Sequence, residues 1–198
     1  MAAPPPACSR RGRAARLVGH TSRCGRSRDV AAPHRFRRLY VTAVYRLVRS
    51  ERAGEALSGE GARLYGGRWN PPGAAVVYAS ESRALAVLET FVHLTLEART
   101  MRFVLCTIEL PPRARVARHY GERALPSLEA SQEVGREWFL GGRTLALVVP
   151  SVIVPREANY VLNANHPLFA RLVAARAPFS FDDRLWRAEH GATRSARG

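Results

Sequence analysis

The sequence predicts an α+β domain built on a mainly antiparallel sheet. Three observations carry that expectation. From Tyr40 onward, short apolar runs alternate with turn signals. The strand-like runs outnumber the helical ones. Their spacing also lacks the regular strand-helix alternation that a parallel sheet requires.

Taken in order, Thr42 to Arg49 (TAVYRLVR) reads as a strand. Ser50 to Gly73 is polar and glycine-rich, and it is too long for an ordinary connection, so it marks a functional or disordered loop. Val76 to Ala79 reads as a short strand. Ser80 or Ser82 can cap a helix over about Arg83 to Leu96, where Leu85, Leu88, Val92 and Leu96 recur on one face with Glu89 at its edge. Met101 to Leu110 is a long strand closed by Pro111 and Pro112, which lack the amide hydrogen that a ladder needs. Residues 128–140 form a helix that ends at Gly141 and Gly142. Thr144 to Val154 is a strand pair or one strand bent at Pro150, and Ala158 to Asn163 is another strand. Pro167 to Ala175 reads as a short helix and Phe179 to Trp186 as a final strand.

Composition sets the limits. The 198 residues are 46% hydrophobic, enough for a buried core, and no apolar run approaches the roughly 20 residues of a membrane-spanning helix. The formal charge is +15, with arginine as its only basic source. Residues 1–38 hold ten arginines against Asp29 alone, a net +9 that leaves +6 for the rest. That tail has neither helical nor strand periodicity. It reads as a disordered basic segment, either transit-like or an over-long gene start. Residues 188–198 read as a second tail, which leaves 39–187 as the folded domain. Cys8 and Cys24 lie in the first tail, Cys106 in an apolar run, and no C-x-x-C pair exists. This pattern argues against zinc and for a reducing, cytoplasmic setting.

Dinucleotide-fold, P-loop, zinc-protease and nucleophile-elbow patterns are all absent. What stands out is Ser58 to Gly73, followed by Val76-Val77-Tyr78-Ala79-Ser80 and the Ala84 to His93 stretch. Its glycines let backbone approach a ligand, Arg68 offers a planar fork to phosphate oxygens, and Trp69 adds a flat apolar surface. Tyr78 closes a strand, and Glu89 falls on the next helix eleven residues later. Taken alone, each has an ordinary explanation: Glu89 as a solvated carboxylate, Arg46 as a surface arginine, Trp69 and Tyr78 as packing, Ser151 as a turn residue. His93 follows Glu89 by four residues, with no third ligand at metal spacing.

These residues together resemble the RES-domain toxins of bacterial toxin-antitoxin modules. The resemblance begins at Tyr45-Arg46-Leu47 and runs through Gly66-Gly67-Arg68-Trp69-Asn70, Tyr78 and the Ala84 to Glu89 helix. It continues through Val149-Pro150-Ser151, Asn163, His166-Pro167 and Phe181-Asp182-Asp183-Arg184-Leu185. Ala164 departs from it, standing where such proteins follow the asparagine with proline. The resemblance implies an ADP-ribosyltransferase-like fold and cleavage of the nicotinamide-ribose bond of NAD⁺, which is then a substrate and not a cofactor. It also implies an Xre-like helix-turn-helix antitoxin as partner and a homodimer within the toxin-antitoxin complex.

The chemistry can be set beside the residues. Nicotinamide departs from a cationic linkage, so the ribose passes through an oxocarbenium-like state that negative charge stabilises. Glu89 supplies that charge. Arg46 and Arg68 suit the pyrophosphate, the Tyr78 ring suits nicotinamide stacking, and Ser151 suits the nicotinamide amide or ribose. The catalytic candidates are therefore Glu89, Arg46 and Tyr78, and the substrate-binding candidates are Arg68, Trp69, Ser151 and Asn163, with no metal. Hydrolysis, phosphorolysis and transfer to a protein acceptor all remain open. A protein ADP-ribosyltransferase is the first alternative, and a nucleic-acid-binding protein acting through its basic tail is the second.

Overall fold

The computed structural model of the chain describes residues 42–112, 114–119 and 127–186. The expected tails, residues 1–38 and 188–198, lie outside these residues, as do Cys8 and Cys24. Among the described residues, seven strands form one sheet: β1 (Thr42–Arg49), β2 (Val76–Ser80), β3 (Phe103–Leu110), β4 (Val116–Arg118), β5 (Ala146–Pro150), β6 (Ala158–Asn163) and β7 (Val173–Phe179). Their spatial order is β4-β5-β6-β2-β1-β3-β7. Every pairing is antiparallel except β4 with β5. The α-helices of the described residues are α1 (Glu60–Tyr65), α2 (Arg83–Phe91) and α3 (Leu128–Gly141). No helix among the described residues is long and apolar enough to cross a membrane.

The join between β1 and β2 positions the site. Strand β1 pairs with β3 along its whole length, from Thr42 opposite Leu110 to Arg49 opposite Phe103. It meets β2 only at Tyr45 opposite Ser80. The sheet is therefore split into a β4-β5-β6-β2 half and a β1-β3-β7 half whose strands pair at one residue pair.

Side-chain alternation gives each strand two faces. One carries the main core, in which Val44, Val77, Ala79, Cys106, Ile108, Val148, Tyr160 and Leu162 are buried together. The other carries Val76, Leu147, Val149 and Val161, covered by Trp69 and by Val134, Trp138 and Phe139 of α3. The α3 backbone comes so close to the loop before β2 that a Cβ on Gly135 would stand 1.7 Å from the Trp69 carbonyl oxygen. Only glycine permits that approach.

Several expectations need correction. The expected helix from Arg83 to Leu96 stops at Phe91, and Leu96–Thr100 forms a separate 3₁₀ turn. Val92 and Leu96, assigned to the buried face, are each 49% exposed. Inside Ser50 to Gly73, a 3₁₀ turn (Ser50–Glu55) and α1 give the segment structure of its own. Pro167 to Ala175 is not a helix: only Phe169–Arg171 turns, and Val173 begins edge strand β7, because pairing with β3 outweighs the helical preference of its alanines and arginine. Phe179 to Trp186 is not a strand. Phe181 instead packs its ring against Phe91, Phe103, Phe179 and Trp186, with centroids 5.1–5.7 Å away.

Candidate active site

Glu89 lies one turn beyond the buried Leu85 and Ala86, on the inner side of α2. Ser82 caps this helix by accepting a bond from the Leu85 amide at 3.0 Å, which fixes where its first turn starts and so where Glu89 points. The Ser151 hydroxyl donates to Glu89 Oε1 at 2.8 Å, and the Asn159 side-chain amide donates to the same oxygen at 2.6 Å. No hydrogen bond reaches Oε2 from the described residues. One oxygen is clamped by two donors, and the other is free to act.

The partners come from the same end of the sheet. Ser151 follows β5, Asn159 opens β6 and Ser80 closes β2, with Asn159 directly opposite both Val149 and Ser80. Ser80 donates to the Asn159 side-chain oxygen at 2.8 Å. Tyr45 stands opposite Ser80 on β1, with the Arg83 guanidinium 5.2 Å from its ring centroid. The turn that carries Ser151 is tied to the start of α2, because Glu81 accepts from the Ala158 amide and Ser82 donates to Glu157.

Ser151 is fully occupied. Its one proton goes to Glu89, and its oxygen accepts from the Ile153 and Val154 amides at 3.1 and 3.0 Å. The hydroxyl expected to meet nicotinamide instead braces the carboxylate.

Arg46 crosses the split in the sheet. One of its terminal nitrogens donates to the Tyr78 carbonyl at 2.7 Å, at a point where β1 and β2 no longer pair. Its Nε is buried without a partner, and no carboxylate pairs with it among the described residues. Burial draws the guanidinium pKa down from the ordinary arginine value, with the Cys106 thiol opposing weakly. No ion pair joins Arg46 to Glu89 among the described residues. They are joined through β2, by the Tyr78 carbonyl on one side and Ser80 with Asn159 on the other.

The Tyr78 hydroxyl is engaged on both sides within the fold. It donates to Asn70 Oδ1 at 2.7 Å and accepts from the Trp69 amide at 2.9 Å, while Asn70 donates onward to the Ala62, Pro71 and Ala74 carbonyls. A Cβ on Gly67 would lie 2.7 Å from that hydroxyl, so the Gly66-Gly67 turn is needed for the contact. Burial pushes the Tyr78 hydroxyl up to about 12, partly opposed by the Trp69 amide. An unfolded tyrosine titrates near 10. The stability gained by keeping this phenol neutral is thus complete below pH 10 and lost as pH climbs through about 12. The full loss amounts to about 3 kcal/mol. Denaturant titrations from pH 9 to 12 should show this decline in the parent and a flatter profile in Tyr78→Phe, and identical profiles would refute it.

Trp69 is 3% exposed and packs in the core with its ring 5.4 Å from that of His119, so it presents no open face to a ligand. Asn163 is 1% exposed at the opposite end of β6 from Asn159; it accepts from the Asn165 amide and braces the turn there. Neither joins the Glu89 cluster. Arg68 is half-buried in the turn closed by Gly67 and Asn70. A concavity of about 280 Å³ bounded by Glu109, Leu110, Pro111, Pro112, Arg171 and Val173 contains none of these residues. Sequence reasoning missed Asn159, Ser80 and Asn70 as working parts. Ser80 was noted only as a possible helix cap, a place that Ser82 takes, Asn70 sat inside a noted motif without a role, and Asn159 carried no local signal.

A buried arginine at the sheet split and a clamped glutamate eleven residues after Tyr78 coincide with a match to the RES domain model over residues 43–190. The chain belongs to the RES-domain family. Among its relatives, a Prs ADP-ribosylating toxin of Sphingobium sp. strain YBL2 is 41% identical over 136 residues, covering 64% of this chain and 84% of the relative. A Toxin Res of Photorhabdus laumondii is 37% identical over 154 residues, covering 74% of this chain and 98% of the relative. The fold is similar to that in the solved MbcT-MbcA toxin-antitoxin complex of M. tuberculosis, with a TM-score of 0.53 at 21% identity, over 70% of this chain and 84% of that one. The chain thus groups with the RES-domain toxins, on a mixed scaffold with the mainly antiparallel sheet that its strand pattern predicts.

Proposed function

We propose that this RES-domain toxin cleaves the nicotinamide-ribose bond of NAD⁺. The observation that carries the reading is the Glu89 carboxylate, clamped through Oε1 with Oε2 left open, one strand away from a buried arginine that lacks a carboxylate partner. In the reaction the ribose C1′–N bond breaks, and its electron pair neutralises the pyridinium as nicotinamide leaves. Glu89 Oε2 holds a ribose hydroxyl and stabilises the cation that develops, an interaction stronger in the transition state than in the ground state. A water molecule then forms the new C1′–O bond and releases a proton.

Arg46 binds the pyrophosphate with Arg68 assisting, and the Tyr78 ring stacks on nicotinamide while its hydroxyl holds the loop. The buried Arg46 Nε has no partner in the fold, which costs about 1–3 kcal/mol that an anionic ligand recovers. The 41% identity to an ADP-ribosylating toxin favours one second reading, in which a protein side chain replaces water as acceptor.

The partner that keeps such an activity in check is an antitoxin of the Xre-like helix-turn-helix kind, the toxin acting as a homodimer in the cytoplasm. Residues 39–187 are the functional unit. Incubating the purified protein with NAD⁺, with and without inorganic phosphate, and resolving the products tests the reading. Nicotinamide released with free ADP-ribose supports hydrolysis, and ADP-ribose bound to phosphate or protein identifies another acceptor. NAD⁺ left intact overturns the proposal.

A further inference from the structure

We infer that Asn159 is a positioning residue for Glu89, held in its working orientation by Ser80; this rests on the reading of Glu89 as the group that stabilises the ribosyl cation. The last side-chain torsion of a glutamate is soft, so an unrestrained carboxylate would rotate and present either oxygen. Ser151 alone supplies one donor from one direction. Asn159 adds the second at 2.6 Å on the same oxygen, from the neighbouring strand. Two donors on Oε1 fix the carboxylate plane and assign the outward role to Oε2.

The chemistry at position 159 is specific. An amide has a donating and an accepting end, and here the buried Ser80 hydroxyl donates to the accepting end at 2.8 Å. A reversed amide would set its oxygen against the Glu89 carboxylate and its NH₂ against Ser80. The charge of Glu89 selects the orientation, and the Ser80 hydroxyl, by donating to the accepting end, reinforces it. The register that puts Ser80, Asn159 and Val149 in one row makes this a device of three strands acting on one helix residue.

The test is steady-state kinetics of NAD⁺ cleavage between pH 5 and 9 by the full chain and its variants. Asn159→Ala should lower kcat about 10- to 100-fold with KM within about threefold of the parent, since a displaced catalytic group loses rate more than binding. Ser80→Ala should lower kcat less, and it should add nothing in the Asn159→Ala background. Asn159→Asp gives the decisive profile. While protonated, the substituted carboxyl group still donates to Glu89 and restores turnover at acidic pH. Its ionisation removes the donor and sets two carboxylates together, so activity falls as pH rises, along a limb the parent lacks.

A merely structural role predicts an Asn159→Asp variant equally impaired at every pH, and either that result or Asn159→Ala turnover within threefold of the parent overturns the inference. A readout without turnover separates it from the functional proposal. In the parent, the Asn159 side-chain amide proton should lie downfield in the NMR spectrum and move upfield in Glu89→Gln. A parent that leaves NAD⁺ intact defeats the assigned reaction, and an Asn159 resonance indifferent to Glu89→Gln defeats the clamp.

Discussion

Glu89→Gln is expected to slow nicotinamide release by about 10²- to 10³-fold while the protein stays folded and still binds NAD⁺. Glutamine keeps the length of the side chain and an oxygen that can accept from both Ser151 and Asn159, so the clamp on Oε1 survives as weaker, uncharged hydrogen bonds. What changes is the free end, where an acceptor carrying negative charge becomes an uncharged amide donor. The developing ribosyl cation needs that charge and the bound substrate needs it far less, so the loss falls on kcat and leaves KM nearly unchanged. Assaying nicotinamide against time, with NAD⁺ binding measured separately by calorimetry, checks both halves. A folded variant that turns over within a few-fold of the parent would show that Glu89 is only a packed surface carboxylate.

The residues most legible in the sequence were those whose role is set locally. The apolar spacing sets Glu89 at the edge of its helix face, and the structure turns it inward because it follows the buried Leu85 by four positions. Ser82 before an apolar helix and Gly142 after α3 end their helices as capping chemistry requires, with Gly142 in the left-handed region at φ 57°. Asn159 was illegible because its partners, Ser80 and Glu89, are 79 and 70 positions away and meet it only through strand register. Trp69 misled for a different reason. A flat apolar ring in a glycine-rich loop suits a ligand and a core equally, and the close approach of Gly135 that decides for the core is a tertiary fact. Strand β7 was hidden in the same way, since its pairing with β3 is non-local and its alanines and Arg176 prefer helix in isolation.

Arg46→Met is expected to abolish useful NAD⁺ cleavage and to leave the protein at least as stable as the parent. The two effects have one cause. Burying a guanidinium without a carboxylate costs several kcal/mol in the absence of ligand, while its bond to the Tyr78 carbonyl returns about 1–3 kcal/mol. Methionine fills similar space without the charge, so the folded state loses the smaller term and is relieved of the larger one. The pyrophosphate of NAD⁺ loses a charge-assisted partner in both ground and transition states, so KM rises together with any fall in kcat, unlike in Glu89→Gln. The combined loss in kcat/KM should be about 10²-fold or more, given roughly 2–5 kcal/mol for a desolvated charged contact. Because Arg46 is screened from solvent, the loss should persist from about 50 to 300 mM salt, where contacts from exposed arginines would fade. Kinetics and thermal melts on one preparation decide the matter. Near-parent kcat/KM would remove Arg46 from the substrate site, and a melting temperature well below the parent's would make it a structural residue that stitches β1 to β2.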